Sequence, residues 1–155
     1  KKQNLNFKLI GIDANAFTID YAKRLSEDFP NIDYCCMDIF SEDFQELQYD
    51  IVLCTLTLHH FTTAQITEVM HTLSKNASIG IVINDLHRSK LAYRLFELIS
   101  VVFNLNQMSR NDGLISILKG FKKNELESFS KKLNLKKYTI NWKWAFRYQW
   151  IITKI

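Results

Sequence analysis

The run Ile51-Val52-Leu53-Cys54-Thr55-Leu56 is apolar toward both faces of the strand it would form. A strand of that kind suits a parallel sheet, because crossover helices cover such a sheet above and below. The neighbouring segments fit the same demand. Phe7 to Ile12 reads as a short buried strand ending at Asp13, Ile32 to Met37 as a second ending at Asp38, and Ile79 to Ile83 as a fourth ending at Asn84 and Asp85. Between them Ile19, Ala22, Leu25 and Phe29 recur at helical spacing and Pro30-Asn31 closes the segment. Ser41 to Leu47 reads as a short helix or turn, and Ile66, Val69, Met70 and Leu73 mark another helix. The order is β-α-β-α-β-α-β.

Beyond Asp85 two more helical stripes follow, Leu91, Leu95, Leu98, Ile99 and Val102, then Leu126, Phe129 and Leu133. Tyr138 to Trp144 and Phe146 to Ile152 are aromatic and β-branched runs too close together for a crossover helix, so they predict an antiparallel hairpin. Trp142, Trp144 and Trp150 are expected in the core or on a sheet face. The fold class is therefore α/β, a three-layer α/β/α sandwich with a mostly parallel sheet and an antiparallel C-terminal hairpin, in one domain over residues 1–155.

Composition narrows the functional classes. The 155 residues carry a net charge of +4, yet ten of the 20 Lys and Arg lie in residues 119–155 beside only two acidic residues. A basic end can attract nucleic acid. These lysines fall among helix and strand residues where solvated faces are expected, so a nucleic-acid role is disfavoured. Cys35, Cys36 and Cys54 are odd in number and sit in apolar runs, which predicts buried free thiols in a reducing cytoplasm. No apolar stretch approaches the roughly 20 residues of a membrane span, and no signal peptide is visible. No His or Cys set has metal-ligand spacing, and His59 and His60, being adjacent, do not converge on one ion. His71, on a helical stripe, reads as structural.

Parallel strands with right-handed crossovers bring their carboxyl ends to one edge, where open α/β sheets bind ligands. Here that edge holds Asp13, Asp38, a Thr55/Thr57/His59/His60 stretch, and Asn84-Asp85 followed by His87-Arg88. A carboxylate offers two acceptor oxygens to the two hydroxyls of a ribose, and a second acid one strand over can accept from an adenine amine. An acid after a strand also serves as a helix cap. Three such ends in register point to an adenosine-shaped slot.

Ile10-Gly11-Ile12-Asp13, Met37-Asp38-Ile39-Phe40, Tyr49-Asp50-Ile51-Val52 through Leu58-His59-His60-Phe61, and Gly80 to Asp85 resemble, in order and spacing, the strand motifs of class I S-adenosylmethionine-dependent methyltransferases. The resemblance covers essentially the whole chain and implies a Rossmann-like fold with S-adenosyl-L-methionine as cofactor. By it Asp13 binds the ribose, Ala14 lies against the adenine, Asp38 and Ile39 read the adenine edge, and Thr55 and Leu56 approach the methionine portion. The segment 86–118, with Asn111-Asp112-Gly113, resembles the variable part that covers the acceptor, a small molecule methylated at oxygen, nitrogen or carbon. His87 and Asp85 are the candidate catalytic bases, and His59, His60 and Arg88 the candidate substrate contacts. Leu91 to Phe103, with Tyr93 and Phe96, is read either as an acceptor wall or as a helix packed on the sheet.

The family's first strand and glycine-rich loop should precede Phe7. Lys1 to Asn6 resemble the tail of the helix after that loop, so the native protein is expected to extend upstream, with the missing strand central in the sheet. A homodimer or an exchanged segment is the expected cover for such a gap. Two other readings are a nicotinamide-dependent oxidoreductase, whose ribose also takes an acid after the second strand, and a non-catalytic methyltransferase-like binding module.

Overall fold

The computed structural model describes residues 7–154, so the expected helix tail at Lys1 to Asn6 lies outside the described residues. The chain divides into two compact units, Lys1–Leu47 and Gln48–Ile155.

In the first unit β1 (Leu9–Asp13) and β2 (Ile32–Cys36) form a parallel pair, in register from Leu9 opposite Ile32 to Asp13 opposite Cys36. Helix α1 (Ala16–Leu25) connects them, and the short α2 (Glu42–Glu46) follows β2. Asn15 caps α1 by accepting from the Phe17 N–H, and Ser41 caps α2 by accepting from the Phe44 N–H. Helix α1 ends four residues before Phe29, so of the apolar stripe only Ile19 is buried, whereas Leu25 and Phe29 are exposed. Gly11 is required by contact: a Cβ there would lie 2.7 Å from the Tyr34 ring.

The second unit runs β3 (Tyr49–Thr55), a 3-10 turn Leu58–His60, α3 (Thr63–Asn76), β4 (Ala77–Leu86), α4 (Lys90–Val102), α5 (Gln107–Lys119), α6 (Lys123–Lys132), β5 (Tyr138–Lys143) and β6 (Arg147–Thr153). Its sheet has the order β3-β4-β6-β5, with β3 and β4 parallel and β6 antiparallel to both neighbours. The α/β class, the parallel pairs and the C-terminal hairpin are thus those of a Rossmann-like fold. The loop of the hairpin holds Ala145 and Phe146 at φ 61° and 52°, a left-handed turn between paired Lys143 and Arg147.

Alternation along β4 sorts its side chains. Ile81, Ile83 and Asp85 share one face with Ile152, Trp150 and Tyr148 of β6, and nearly all of these are buried. Helix α3 packs on β4 and buries Ile66, Val69, Met70 and Leu73. Helix α6 adds Leu126 and Phe129. The Thr62/Gln65 capping box starts α3.

Several sequence expectations need correction. Helix α5 was not expected, because the segment with Asn111-Asp112-Gly113 shows no apolar stripe and reads only as part of the variable 86–118 stretch. It packs against α4, and a Cβ on Gly113 would lie 2.4 Å from the tip of the Phe96 ring, so a larger residue there requires that ring to move. The α4 stripe is not packed on the sheet. Leu91, Leu95, Leu98, Ile99 and Val102 are exposed and the buried residues are Ala92 and Ser100. Among the tryptophans only Trp150 is in the core; Trp142 and Trp144 are exposed, 52% and 88%, because they lie at and beyond the end of the paired strand. Cys36 is exposed and Cys35 and Cys54 half-buried, so the thiols do not form a buried set. His71 is on the exposed side of α3.

Gly80 carries a prediction of its own. A Cβ there would stand 2.5 Å from the Ile152 carbonyl oxygen, a backbone atom that cannot swing aside. Gly80→Ala should therefore destabilise the protein by about 1–3 kcal/mol through overpacking at the β4–β6 seam. Chemical denaturation reads this as a lower midpoint at unchanged slope; an unchanged midpoint would show the seam to be looser than described.

Candidate active site

In the first unit the register that pairs Asp13 with Cys36 continues one step beyond the strands, where the Met37 N–H donates to the Asp13 carbonyl at 3.0 Å. Asp13 and Asp38 thus end neighbouring strands at the same edge. Asp13 Oδ1 accepts from the Asn15 N–H at 2.7 Å, and Asp38 Oδ1 accepts from the Phe40 N–H at 2.9 Å. Each acid therefore uses one oxygen to shape its own turn. Neither Oδ2 has a hydrogen-bond partner among the described residues. Ala14 is exposed and Ile39 half-buried beside them, and the Cys36 thiol donates to the Ala14 carbonyl at 3.6 Å.

In the second unit β3 ends at Thr55 and the chain turns sharply. Leu56 is held at φ 54°, a left-handed conformation costing a non-glycine residue about 1–2 kcal/mol. Its N–H donates to the Asn84 carbonyl at 2.9 Å, and Thr57 Oγ1 donates to the Thr55 carbonyl at 3.0 Å. The strain is held by Asp85, a carboxylate at the end of β4 that is only 2% exposed. Its Oδ2 accepts from the Leu58 N–H at 2.8 Å and the His59 N–H at 3.4 Å. Its Oδ1 lies 2.7 Å from both His59 Nδ1 and the Leu86 N–H. A carboxylate only accepts, so His59 donates to it from Nδ1. Asp85 and His59 are buried together, and all of the Asp85 acceptor capacity goes to the 58–60 turn and to Leu86.

Next to His59, at 4.1 Å between ring centroids, lies the exposed His60. Its basicity is lowered chiefly by partial desolvation of a ring that stays largely in solvent, then by the neighbouring His59 and Lys119. Burial also lowers the basicity of His87. The His87 ring meets Tyr148 edge-on at 4.8 Å and its buried Nδ1 has no hydrogen-bond partner. The Cys54 thiol is pushed up to about 11, mainly by burial and further by Asp85, and stays protonated at neutral pH. Arg88 donates to Glu125 in a half-buried ion pair. The Asn84 Oδ1 and Arg147 Nε atoms, also buried without partners, are polar features that the sequence reading missed. Only strand register places these two diagonally on one face of β4 and β6.

The two histidines give a pH signature. Folded His60 and His87 resist protonation, whereas in the unfolded chain they titrate near 6.5. Below that value the unfolded state binds more protons, so stability rises with pH and is lost as pH falls through the lower folded-state values. Thermal melts should show a lower Tm at about pH 5.5 than at about pH 7.5. A His60→Gln/His87→Gln double variant should show a smaller drop; an identical drop would assign it to other groups.

Two hollows flank the Arg88–Glu125 pair. One, about 310 Å³, is lined by Phe61, Ile66, Phe121 and Phe129; the other, about 570 Å³, lies along the start of α4 and the end of α5. Among the described residues no three His, Cys, Asp or Glu side chains come together as a metal site, and no helix is long and apolar enough to cross a membrane.

A search of curated proteins finds no match to the sequence. Solved structures do match. The plantazolicin methyltransferase BpumL, in complex with a pentazolic desmethylPZN analog and SAH, is 19% identical over 96% of this chain and 68% of its own, with a TM-score of 0.70. Magnesium protoporphyrin IX methyltransferase (ChlM) from Synechocystis PCC 6803 with bound SAM is 11% identical over 96% of this chain and 60% of its own, at 0.58. A provisionally named O-methyltransferase from Nostoc punctiforme PCC 73102 is 14% identical over 95% of this chain and 45% of its own, at 0.67. The chain thus spans less than two thirds of the last two proteins, and likeness at such identities establishes the fold. The family follows from the sequence: the model for "Methyltransferase domain" matches residues 1–80, more than half of the chain. The chain accordingly belongs to the methyltransferase-domain family.

Proposed function

We propose that the chain transfers the methyl group of S-adenosylmethionine to a small-molecule acceptor at oxygen, nitrogen or carbon. The observation that supports this best is the acid pair Asp13 and Asp38, side by side at two parallel strand ends, each with one oxygen in its own turn and the other unpartnered. Their residues fit an adenosine: Asp13 for the ribose hydroxyls, Asp38 and Ile39 for the adenine edge, Ala14 against the ring. By the family resemblance Thr55 and Leu56 are assigned to the methionine portion.

Bound S-adenosylmethionine supplies an electrophilic methyl carbon on a sulfonium, which an acceptor lone pair attacks in line. The protein's tasks are then to hold the reactants and exclude water. A hydroxyl acceptor must also lose its proton. His87, neutral at pH 7 and with an unpartnered Nδ1, is the base we assign. Asp85 is assigned to holding the 55–60 turn, because its acceptor capacity is already used. The segment 86–118 is assigned to the acceptor side.

Isothermal titration tests the reading directly. S-adenosylhomocysteine should bind the protein saturably and NAD should not. NAD binding without S-adenosylhomocysteine binding would replace this reading with the oxidoreductase one, and binding of neither would favour a non-catalytic module.

A further inference from the structure

The larger hollow is unlike a generic crevice in its chemistry. At about 570 Å³ it falls in the size range of small-ligand sites. It is lined by Tyr93 of α4 and Ile117 and Leu118 of α5 together with Arg88, Lys90, Arg94 and Lys122. No carboxylate lines it. Two of the four cations are engaged: Arg88 with Glu125 and Arg94 with Glu97. Lys90 and Lys122 make no side-chain ion pair among the described residues, although Glu125 also accepts from the Lys122 N–H at 2.8 Å, so their two ammonium groups remain open to an anion. Helix α4 also begins there. Ser89 Oγ accepts from the Ala92 N–H, which leaves the first N–H groups of the helix toward its positive end.

We infer that this groove binds a small acid with an apolar body, its carboxylate at Lys90 and Lys122 and its hydrocarbon or aromatic part against Tyr93 and Leu118. The inference rests on the methyltransferase reading only for calling that acid the acceptor; the binding site itself stands on the groove. An uncharged ligand would leave the lysine charge unanswered, and a cation would be repelled by Lys90 and Lys122. The apolar lining favours a carboxylate on a hydrophobic body over inorganic phosphate.

The probes are 2-naphthoate and its uncharged amide, 2-naphthamide, titrated into the protein by calorimetry with and without S-adenosylhomocysteine. Naphthoate should bind at least ~10-fold more tightly than naphthamide, and the preference should shrink with added salt. Lys90→Glu with Lys122→Glu, both surface changes, should remove that preference and leave naphthamide binding as it was. Equal binding of the two probes, an undiminished preference in the double variant, or equally strong displacement by inorganic phosphate overturns the inference. Because S-adenosylhomocysteine binding is read in the same titrations, naphthoate binding without it keeps the site and sinks only its role as acceptor site. S-adenosylhomocysteine binding with no response to naphthoate sinks the site and keeps the methyltransferase.

Discussion

Asp85→Ala is expected to cost the protein about 3–5 kcal/mol, the loss typical of breaking a buried ion-paired network. The carboxylate is 2% exposed and receives the Leu58, His59 and Leu86 N–H groups together with His59 Nδ1. Removing it strands those donors without water to replace it. It also frees the turn that holds Leu56 at φ 54°, so the strained residue should relax toward ordinary backbone. Denaturant unfolding followed by circular dichroism measures the loss, and amide exchange at Leu58 and His59 locates it. Asp85→Asn should fall between Ala and the native residue. Its amide nitrogen must face at least one of the four donors, and the least costly arrangement has it donate to His59 Nδ1, which then carries no proton. The loss of the Nδ1 proton is visible in the ring nitrogen shifts. A loss below about 1 kcal/mol for Asp85→Ala would mean that the turn holds its own shape.

Asp13→Ala should weaken S-adenosylhomocysteine binding by ~100-fold or more, the equivalent of about 3 kcal/mol from two hydrogen bonds to a charged acceptor. Asp13 has a second task, since its Oδ1 shapes the turn into α1 through the Asn15 N–H. Asp13→Asn separates the two. Asparagine retains an oxygen for the Asn15 N–H but puts an amide where the ribose hydroxyls require an acceptor. If Asp13 binds ribose, Asn should bind S-adenosylhomocysteine nearly as poorly as Ala while melting like the native protein. Native-like affinity in Asp13→Asn would confine Asp13 to the turn.

Those two acids also show what a sequence makes legible. Period and composition disclose the strands: short apolar runs found β1 to β4, three of them followed by Asp or Asn, and the aromatic pair of runs found the hairpin, with ends displaced by a few residues. The ordered acids at strand ends disclose Asp13 and Asp38, because a strand end is a local property. Local reading also gave Asp85 its position but not its task. That task depends on Leu58 and His59, 27 and 26 residues away, and on burial that no local pattern carries. The unpartnered atoms of Asn84 and Arg147 are invisible for the same reason, being set by pairing across β4 and β6. Helix α5 was missed because it buries only Leu114 and Ile117 and so carries no apolar stripe to read. The apolar stripe of α4 misled in the opposite sense, since periodicity reports which face is greasy and says nothing of what covers it.

The helical pair α4–α5 leaves the sheet and returns to it through one narrow neck. The Arg88 N–H donates to the Phe121 carbonyl at 2.9 Å, and the Phe121 N–H donates to the Leu86 carbonyl at 2.7 Å. Its two feet are thus stapled together by backbone groups that any sequence possesses. Changes in the exposed outer part of α4 should therefore leave this base closed, whereas α5 is tied down by its own packing on the 3-10 turn and β4, where Leu114 and Ile117 are buried.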